Sequence, residues 1–303
     1  VSTVYVVGSL NMDQRIQVPV LPRAGETVLG LDAVFTPGGK GGNQAVAAAR
    51  AGAGVSFVGA VGPDGHGDTL RAALLADGID CRNVRTAPGK PTGTAIIPVD
   101  PRGENSIIVC PGANSALNLA DVGTGLAAVG AGDIVVLQLE VDPAVVCRAA
   151  KVGRERGATV ILNAAPAPAS VDSLFDDVDV LVLNEHELKT VAGLLGLPGD
   201  DHPACTLALA CRLGITVICT VGPEGAYAAA GGELLHQPAH KVDAVDTTGA
   251  GDTFVGYVAS SLARTPGDLA SALAAATAAS ALAVTRPGAM ESIPWQTDVL
   301  SVL

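Results

Sequence analysis

The chain has 303 residues, longer than a typical single domain but within reach of one large α/β domain with an appendage. Hydrophobic residues make up 49% and charged residues 16%, which excludes a disordered chain. The net charge of -12, without any cluster of Lys and Arg, argues against a nucleic acid or an anionic membrane as partner. An anionic nucleotide remains admissible, because backbone N–H groups, helix N-termini and a divalent cation hold phosphate without leaving a trace in the net charge.

In chain order, short β-branched runs at 4–7, 55–61, 134–139, 159–162, 178–183 and 216–221 predict strands. Between them, alanine-rich stretches at 44–51, 69–76, 143–156, 185–195 and 204–213 predict helices, and two more follow at 251–263 and 269–284. The alternation predicts an α/β fold whose mainly parallel sheet is flanked by helices. Segments 15–35 and 94–110 break the rhythm and read as antiparallel hairpin material, a small β-sheet lid over one edge. Nothing in the chain reads as a repeat or a long linker, so a single domain over 1–303 is expected.

The uncharged stretch 269–284 is mostly alanine, a weak membrane anchor, and is bounded by Asp268 and Arg286, so it is expected to be a buried helix. The apolar run 4–7 is too short for a signal-peptide core. The six cysteines, at 81, 110, 147, 205, 211 and 219, lack C-x-x-C or metal-ligand spacing. They are expected to be buried free thiols in a reducing cytoplasm. The five histidines have no metal-binding spacing and receive no role.

The strongest motif is Asp246-Thr247-Thr248-Gly249-Ala250-Gly251-Asp252-Thr253-Phe254, a glycine-bearing turn running into a helical pattern. Small residues let the backbone approach a phosphate, and the helix N-terminus points unpaired N–H groups at its charge. Asp252, in the first turn, is placed to accept the proton of an attacking hydroxyl. The bland alternative is an ordinary N-cap. Gly130-Ala131-Gly132-Asp133 repeats the four letters but enters a strand, so it is expected to be a plain turn.

Other candidates are polar residues at predicted strand ends, where open parallel sheets bind ligands. Asn11 and Asp13 follow the first strand, Glu140 follows 134–139, and Lys40 and Asn43 stand in Gly38-Gly39-Lys40-Gly41-Gly42-Asn43-Gln44. That cluster fits neither the P-loop nor the dinucleotide fingerprint. Asn184-Glu185-His186-Glu187 and Thr220-Val221-Gly222-Pro223-Glu224-Gly225 are further strand-end loops. Glu187 could order water around a divalent cation, or be a helix-start acid; the second loop could hold phosphate or adenine, or be a hairpin turn.

In this order, the motifs resemble the PfkB-type, or ribokinase-type, carbohydrate kinase family nearly end to end; Gln138-Leu139-Glu140, Asn163-Ala164-Ala165-Pro166 and Val284-Thr285-Arg286-Pro287-Gly288-Ala289 complete the series. The resemblance implies phosphorylation of D-ribose at its 5-hydroxyl by ATP, with Mg2+ and an activating K+. It implies that Asn11, Asp13, Gly39, Lys40, Asn43 and Glu140 meet the sugar, Asp252 is the base, and Gly249, Ala250 and Gly251 form the anion hole. ATP would lie along Asn184, Thr220, Gly222, Gly225 and Gly251, with Thr277 near the adenine and Glu187 acting on Mg2+ through water. Asp246, Thr248, Ala283, Arg286, Gly288 and Ser292 would surround the monovalent cation, which would anchor the turn in place of direct protein contacts. A homodimer through the lid is also implied.

Two departures from the family pattern are Gly42, where alanine is frequent, and Ala164 in place of proline. Neither removes a side chain that does chemistry. The rival readings are a kinase of the same fold acting on deoxyribose, fructose or a nucleoside, and a non-catalytic sugar-binding sensor. Four Phe, three Tyr and one Trp leave little aromatic surface for stacking a base, which favours a free sugar.

Overall fold

A computed structural model of the chain describes residues 2–303. Nine strands form the main sheet. Its centre is β1 (Thr3–Val7), flanked by β4 (Gly54–Val61) and β8 (Ile134–Gln138), both parallel to it. Beyond β4 lies β5 (Asp80–Thr86); beyond β8 follow β9 (Thr159–Asn163), β10 (Val180–Asn184) and β11 (Thr216–Thr220), all parallel. An antiparallel pair, β12 (Ala226–Ala230) and β13 (Glu233–Gln237), ends the sheet. The chain winds one way from β1 to β4 and the other way through β8, so the β1/β8 boundary is the switch point where such sheets open a crevice.

Both faces are covered, which is why the strands read as unbroken apolar runs. One face packs α1 (Lys40–Arg50), α2 (Gly65–Ala76), α7 (Ala250–Arg264) and α8 (Leu269–Ala283). The other packs α3 (Leu119–Gly125), α4 (Pro143–Glu155), α5 (Glu185–Leu194) and α6 (His202–Leu213). The alanine stretch is thus α8, packed against α7 in the core; among the described residues no helix is long and apolar enough to cross a membrane.

The small sheet is built from the two expected antiparallel pairs, joined in a way the sequence did not show. It contains β2 (Asn11–Gln17), β3 (Asp32–Gly38), β6 (Gly93–Val99) and β7 (Ile108–Cys110) in the order β3-β2-β6-β7. The central pair, β2 and β6, is parallel, because the two strands come from distant parts of the chain; only the outer pairs are antiparallel. The cysteines are all free, but only Cys205 and Cys219 are buried. Cys110 and Cys211 are exposed, contrary to the sequence expectation: Cys110 ends an edge strand and Cys211 faces out from α6.

Candidate active site

Asp252 stands in the first turn of α7. The turn before it requires glycine at 249, where φ is +75° and an added Cβ would lie 3.2 Å from Ala289 Cα. At Gly251 an added Cβ would meet nothing within 4 Å, so the backbone there faces open space. Ala250 N–H, expected from the resemblance to face a phosphate, is turned back to Thr247 O at 3.3 Å. The look-alike Asp133 is structural: its oxygens accept from Thr3 N at 2.8 Å and Gly130 N at 2.9 Å.

The Asp252 carboxylate is buried and held from both sides. Asn43 Nδ2 donates to Oδ2 at 2.8 Å, and Gln44 Nε2 donates to Oδ1 at 2.9 Å. Gln44 also donates to Asn163 Oδ1 at 3.0 Å and accepts from Gln138 Nε2 at 2.7 Å. Gln44, Gln138 and Asn163 thus join α1, β8 and β9 behind the base. Sequence reasoning passed over this relay although all three lie in quoted motifs, because three amides on separate elements show no spacing that would link them.

Helix α1 begins at Lys40, four residues earlier than expected. Its opening N–H groups are consumed at the β1/β8 crevice: Lys40 N donates to Glu140 Oε2, Gly41 N to Ser9 Oγ and Gly42 N to Ser9 O. Ser9 Oγ in turn donates to Glu140 Oε2 at 2.6 Å. Gly41 is needed because a Cβ there would lie 2.6 Å from Ser9 N.

Asn11 and Asp13 are not in a strand-end loop, as the sequence suggested, but on β2 itself, one face apart from Met12. Asn114 fixes Asn11 by donating to its Oδ1 at 2.8 Å. Gly38, paired opposite Asn11, leaves room for the Asp13 carboxylate, since a Cβ there would sit 2.1 Å from Asp13 Oδ2, and a Cβ at Gly39, at φ +89°, would crowd Asn11 N at 2.7 Å. The predicted sugar residues therefore gather between the lid and the sheet edge. Asn43 Oδ1 is buried and has no partner among the described residues, an acceptor available to a ligand hydroxyl.

The electrostatics of this pocket are those of several carboxylates around one ammonium. Burial, then the Glu140 and Asp252 charges, raise Asp13 to about 7, against the pull of Lys40. Burial also raises Asp252, opposed by Lys40, Asn43 and Gln44. Burial alone would lower Lys40, but Asp252, Glu140, Glu187 and Asp13 together raise it. Lys40 stays charged and offsets part of the acidic cluster's negative charge.

On the other side of the turn lies a cleft of about 420 Å³, lined by Thr220, Gly222, Gly225, Gly251 and Thr277 as the sequence led one to expect. Its lining is mostly apolar, and Thr277 Oγ1 is buried without a partner. Gly225, at φ +102°, lets the loop pass Gln237 O, which a Cβ would approach to 2.0 Å. The wall formed by Ala239, His240, Lys241 and Val242 was missed, since an irregular segment carries no periodic signal. Asn184 and Glu187 form a capping box on α5: Asn184 Oδ1 accepts from Glu187 N at 2.8 Å and Glu187 Oε2 from Asn184 N at 2.9 Å. Glu187 is buried, and burial raises its pKa despite that bond and Lys40.

The Asp246 loop corrects one expectation, that an ion replaces protein contacts there. Asp246 Oδ1 accepts from Thr248 N at 3.0 Å and Thr248 Oγ1 at 2.6 Å, and Oδ2 from Gly288 N at 3.1 Å and Arg15 Nη1 at 2.8 Å. Ala283 O accepts from Arg286 N, Ser292 Oγ donates to Ala289 O, and the Arg286 guanidinium lies 3.6 Å from Asp298.

The pfkB family carbohydrate kinase profile matches residues 1–296. The chain belongs to this family. Among its pfkB-type relatives is the ribokinase of Haemophilus influenzae, 37% identical over 99% of this chain and 98% of that one. Similar solved structures are ribokinase from Thermotoga maritima (34% identity, TM-score 0.89, 99% of each chain) and Arabidopsis thaliana ribokinase complexed with ribose and ATP (32%, TM-score 0.86, 99% and 98%). Within this pfkB-type frame, Gly42 has a local reason: a Cβ there would meet Met290 Cε at 2.5 Å and Leu10 Cδ2 at 2.9 Å. The glycine makes room for Met290 against α1.

Proposed function

We propose that the chain transfers the terminal phosphoryl group of ATP to the primary 5-hydroxyl of D-ribose, giving D-ribose 5-phosphate and ADP. The observation that carries this reading is the position of Asp252 between two sites, the first the mostly apolar cleft that Gly251 and Thr277 line, the second the pocket where Asn43, Lys40, Glu140 and Asp13 gather about its carboxylate. A nucleotide in the first and a sugar in the second would meet at the N-terminus of α7, beside a buried carboxylate. Its similarity to a ribokinase whose structure is complexed with ribose and ATP supports the assignment.

In the proposed mechanism, Asn11, Asp13, Gly39, Lys40, Asn43 and Glu140 orient the sugar, Asp13 and Glu140 as acceptors for its hydroxyls. Asp252 takes the proton from the attacking hydroxyl while Asn43 and Gln44 fix the carboxylate's orientation. N–H groups at Gly249 and Gly251, joined by that of Ala250 once it leaves Thr247 O, receive the charge that develops on the phosphoryl oxygens. Asn184, Thr220, Gly222, Gly225, Gly251 and Thr277 bind ATP, and Thr277 Oγ1 meets the adenine.

Mg2+ would supply charge neutralisation at the phosphates, held by Glu187 through water. The residues suit it: Glu187 Oε2 is used by the cap, leaving Oε1 for a hydration shell, as Mg2+ prefers to keep its waters. The Asp246 loop, with Thr248, Ala283, Arg286, Gly288 and Ser292, offers the oxygen set of a K+ site, and K+ would activate by stiffening the anion-hole turn. A homodimer through the small sheet is supported by exposed apolar residues there, among them Val34, Phe35, Ile107 and Ile108. We read 1–303 as one cytoplasmic kinase domain.

A coupled assay of ADP formation with ribose, deoxyribose, fructose and adenosine tests the reading. Ribose is expected to give the highest kcat/KM. Sugar binding without ADP formation would replace the kinase by a sensor.

A further inference from the structure

Asp246 is the point where the small sheet touches the anion-hole turn. Four donors reach its carboxylate, matching the roughly four lone-pair positions such a group offers. Three of them, Thr248 N, Thr248 Oγ1 and Gly288 N, are neutral and belong to the loops of the main domain. The fourth is the Arg15 guanidinium, at 2.8 Å, which carries the charge and comes from β2.

Arg15 lies two residues beyond Asp13, so both side chains project from the same face of β2. That face covers a cleft of about 200 Å³ that Asp246, Thr248 and Gly288 line from the opposite side. The strand that carries Asn11 and Asp13 is therefore tied by an ion pair to the turn that leads into Gly249 and Asp252.

We propose that Arg15 is a built-in competitor of the monovalent cation: its guanidinium neutralises Asp246 and occupies a carboxylate position the ion would otherwise use. The inference rests on the reading of the Asp246 loop as a cation site. Its consequence is that this chain depends on K+ less steeply than it would without Arg15. A second consequence is that anything holding β2 against the main domain, a bound sugar included, favours the guanidinium over the ion.

The test compares the parent with Arg15→Met and Arg15→Lys, titrating KCl against tetramethylammonium chloride at constant ionic strength. Two readouts are taken: turnover at saturating ribose and Mg-ATP, and melting temperature without substrates. In Arg15→Met the half-activating KCl concentration is expected to fall about two- to fivefold, the scale of a half-exposed ion pair, and the KCl-dependent rise in melting temperature to grow. Arg15→Lys should lie between. The same half-activating concentration and the same KCl-dependent rise in all three proteins would overturn the proposal, even if Arg15→Met melted lower overall. If no protein responded to KCl in either readout, the cation site itself would be refuted, and the competition with it.

Discussion

Gln44 Nε2 lies 2.9 Å from Asp252 Oδ1 and 3.0 Å from Asn163 Oδ1, so a single amide links the proposed base to the strand behind it. Its carbonyl is taken by Gln138. Gln44 touches no predicted ligand position, and its role is to hold Asp252 in one orientation. In Gln44→Leu the base loses a donor, and buried Gln138 Nε2 and Asn163 Oδ1 lose partners, at about 1–3 kcal/mol of stability for each group left unpaired. In Gln44→Glu a second carboxylate faces Asp252 and raises its pKa further. The acid limb of the kcat pH profile should move upward in Gln44→Glu while ribose KM changes little. An unmoved limb would remove Gln44 from the mechanism.

Asp13 makes opposite predictions for stability and for activity. Its folded pKa of about 7 stands above the ordinary 3.8, so between these values the folded chain binds more protons than the unfolded one. Stability from this group is therefore present at low pH and lost as pH rises through 7. Asp252 and Glu187 are raised too and act in the same direction. Asp64, Asp80, Asp100, Asp246 and Asp268, all lowered, act only near and below 3.8. Asp13→Asn should stabilise the ligand-free protein by a few kcal/mol at pH 8 and much less at pH 5, while raising ribose KM about tenfold or more. Denaturant melts at the two pH values decide it: an equal change at both would show that Asp13 does not carry the buried charge.

The helix start at the Asp252 turn was legible because its signal is local: Gly249 to Asp252 run straight into α7, whereas the look-alike at 130–133 runs into β8. The parallel sheet was legible for the same reason, each strand being a short apolar run. What the sequence hid is non-local. The parallel pairing of β2 with β6 joins residues some eighty positions apart, and it moved Asn11 and Asp13 from a loop onto a strand. Arg15 gave no sign of Asp246, 231 residues away, and Asn114 none of Asn11, 103 away. Pairings at such separations are decided by tertiary packing and leave no periodicity in one sequence.

Thr277 Oγ1 is buried and unpartnered at the wall of the larger cleft. Thr277→Val keeps the shape and removes the orphan polar atom, so the ligand-free protein should melt at the same temperature or slightly higher. If the hydroxyl meets the adenine, KM for ATP should rise about fivefold, the worth of roughly 1 kcal/mol, with ribose KM unchanged. An unchanged ATP KM would place the adenine elsewhere.

Ile108, on the edge strand β7, is 58% exposed, and with Phe35, in the same cross-strand row, it gives one face of the small sheet an uncovered apolar surface. If two copies bury this surface together, a charge at its rim should separate them. Ile108→Asp is expected to sediment as a monomer at a micromolar concentration where the parent is a dimer. A parent that is monomeric with and without ribose would remove the dimer.

Asp252→Asn is the most direct test of the chemistry, because the amide keeps the side chain's size and a hydrogen-bonding oxygen but cannot take a proton. Loss of a general base costs about 10² to 10⁴ in rate, whereas one neutral hydrogen bond to the sugar is worth about 1 kcal/mol. Turnover should collapse while ribose binding, followed by calorimetry, stays within about tenfold of the parent. Asn43 Nδ2 and Gln44 Nε2 both donate to Asp252, and Asn retains only one oxygen to receive them, so a modest loss of stability accompanies the change. Asp133→Asn controls for that. There the carboxylate accepts, among the described residues, from Thr3 N and Gly130 N, it lines neither cleft, and turnover should remain within a few-fold of the parent. Equal losses from both substitutions, or near-parental turnover in Asp252→Asn, would require another group to accept the proton, and Asp13, held at about 7 in the same pocket, would be the next to replace.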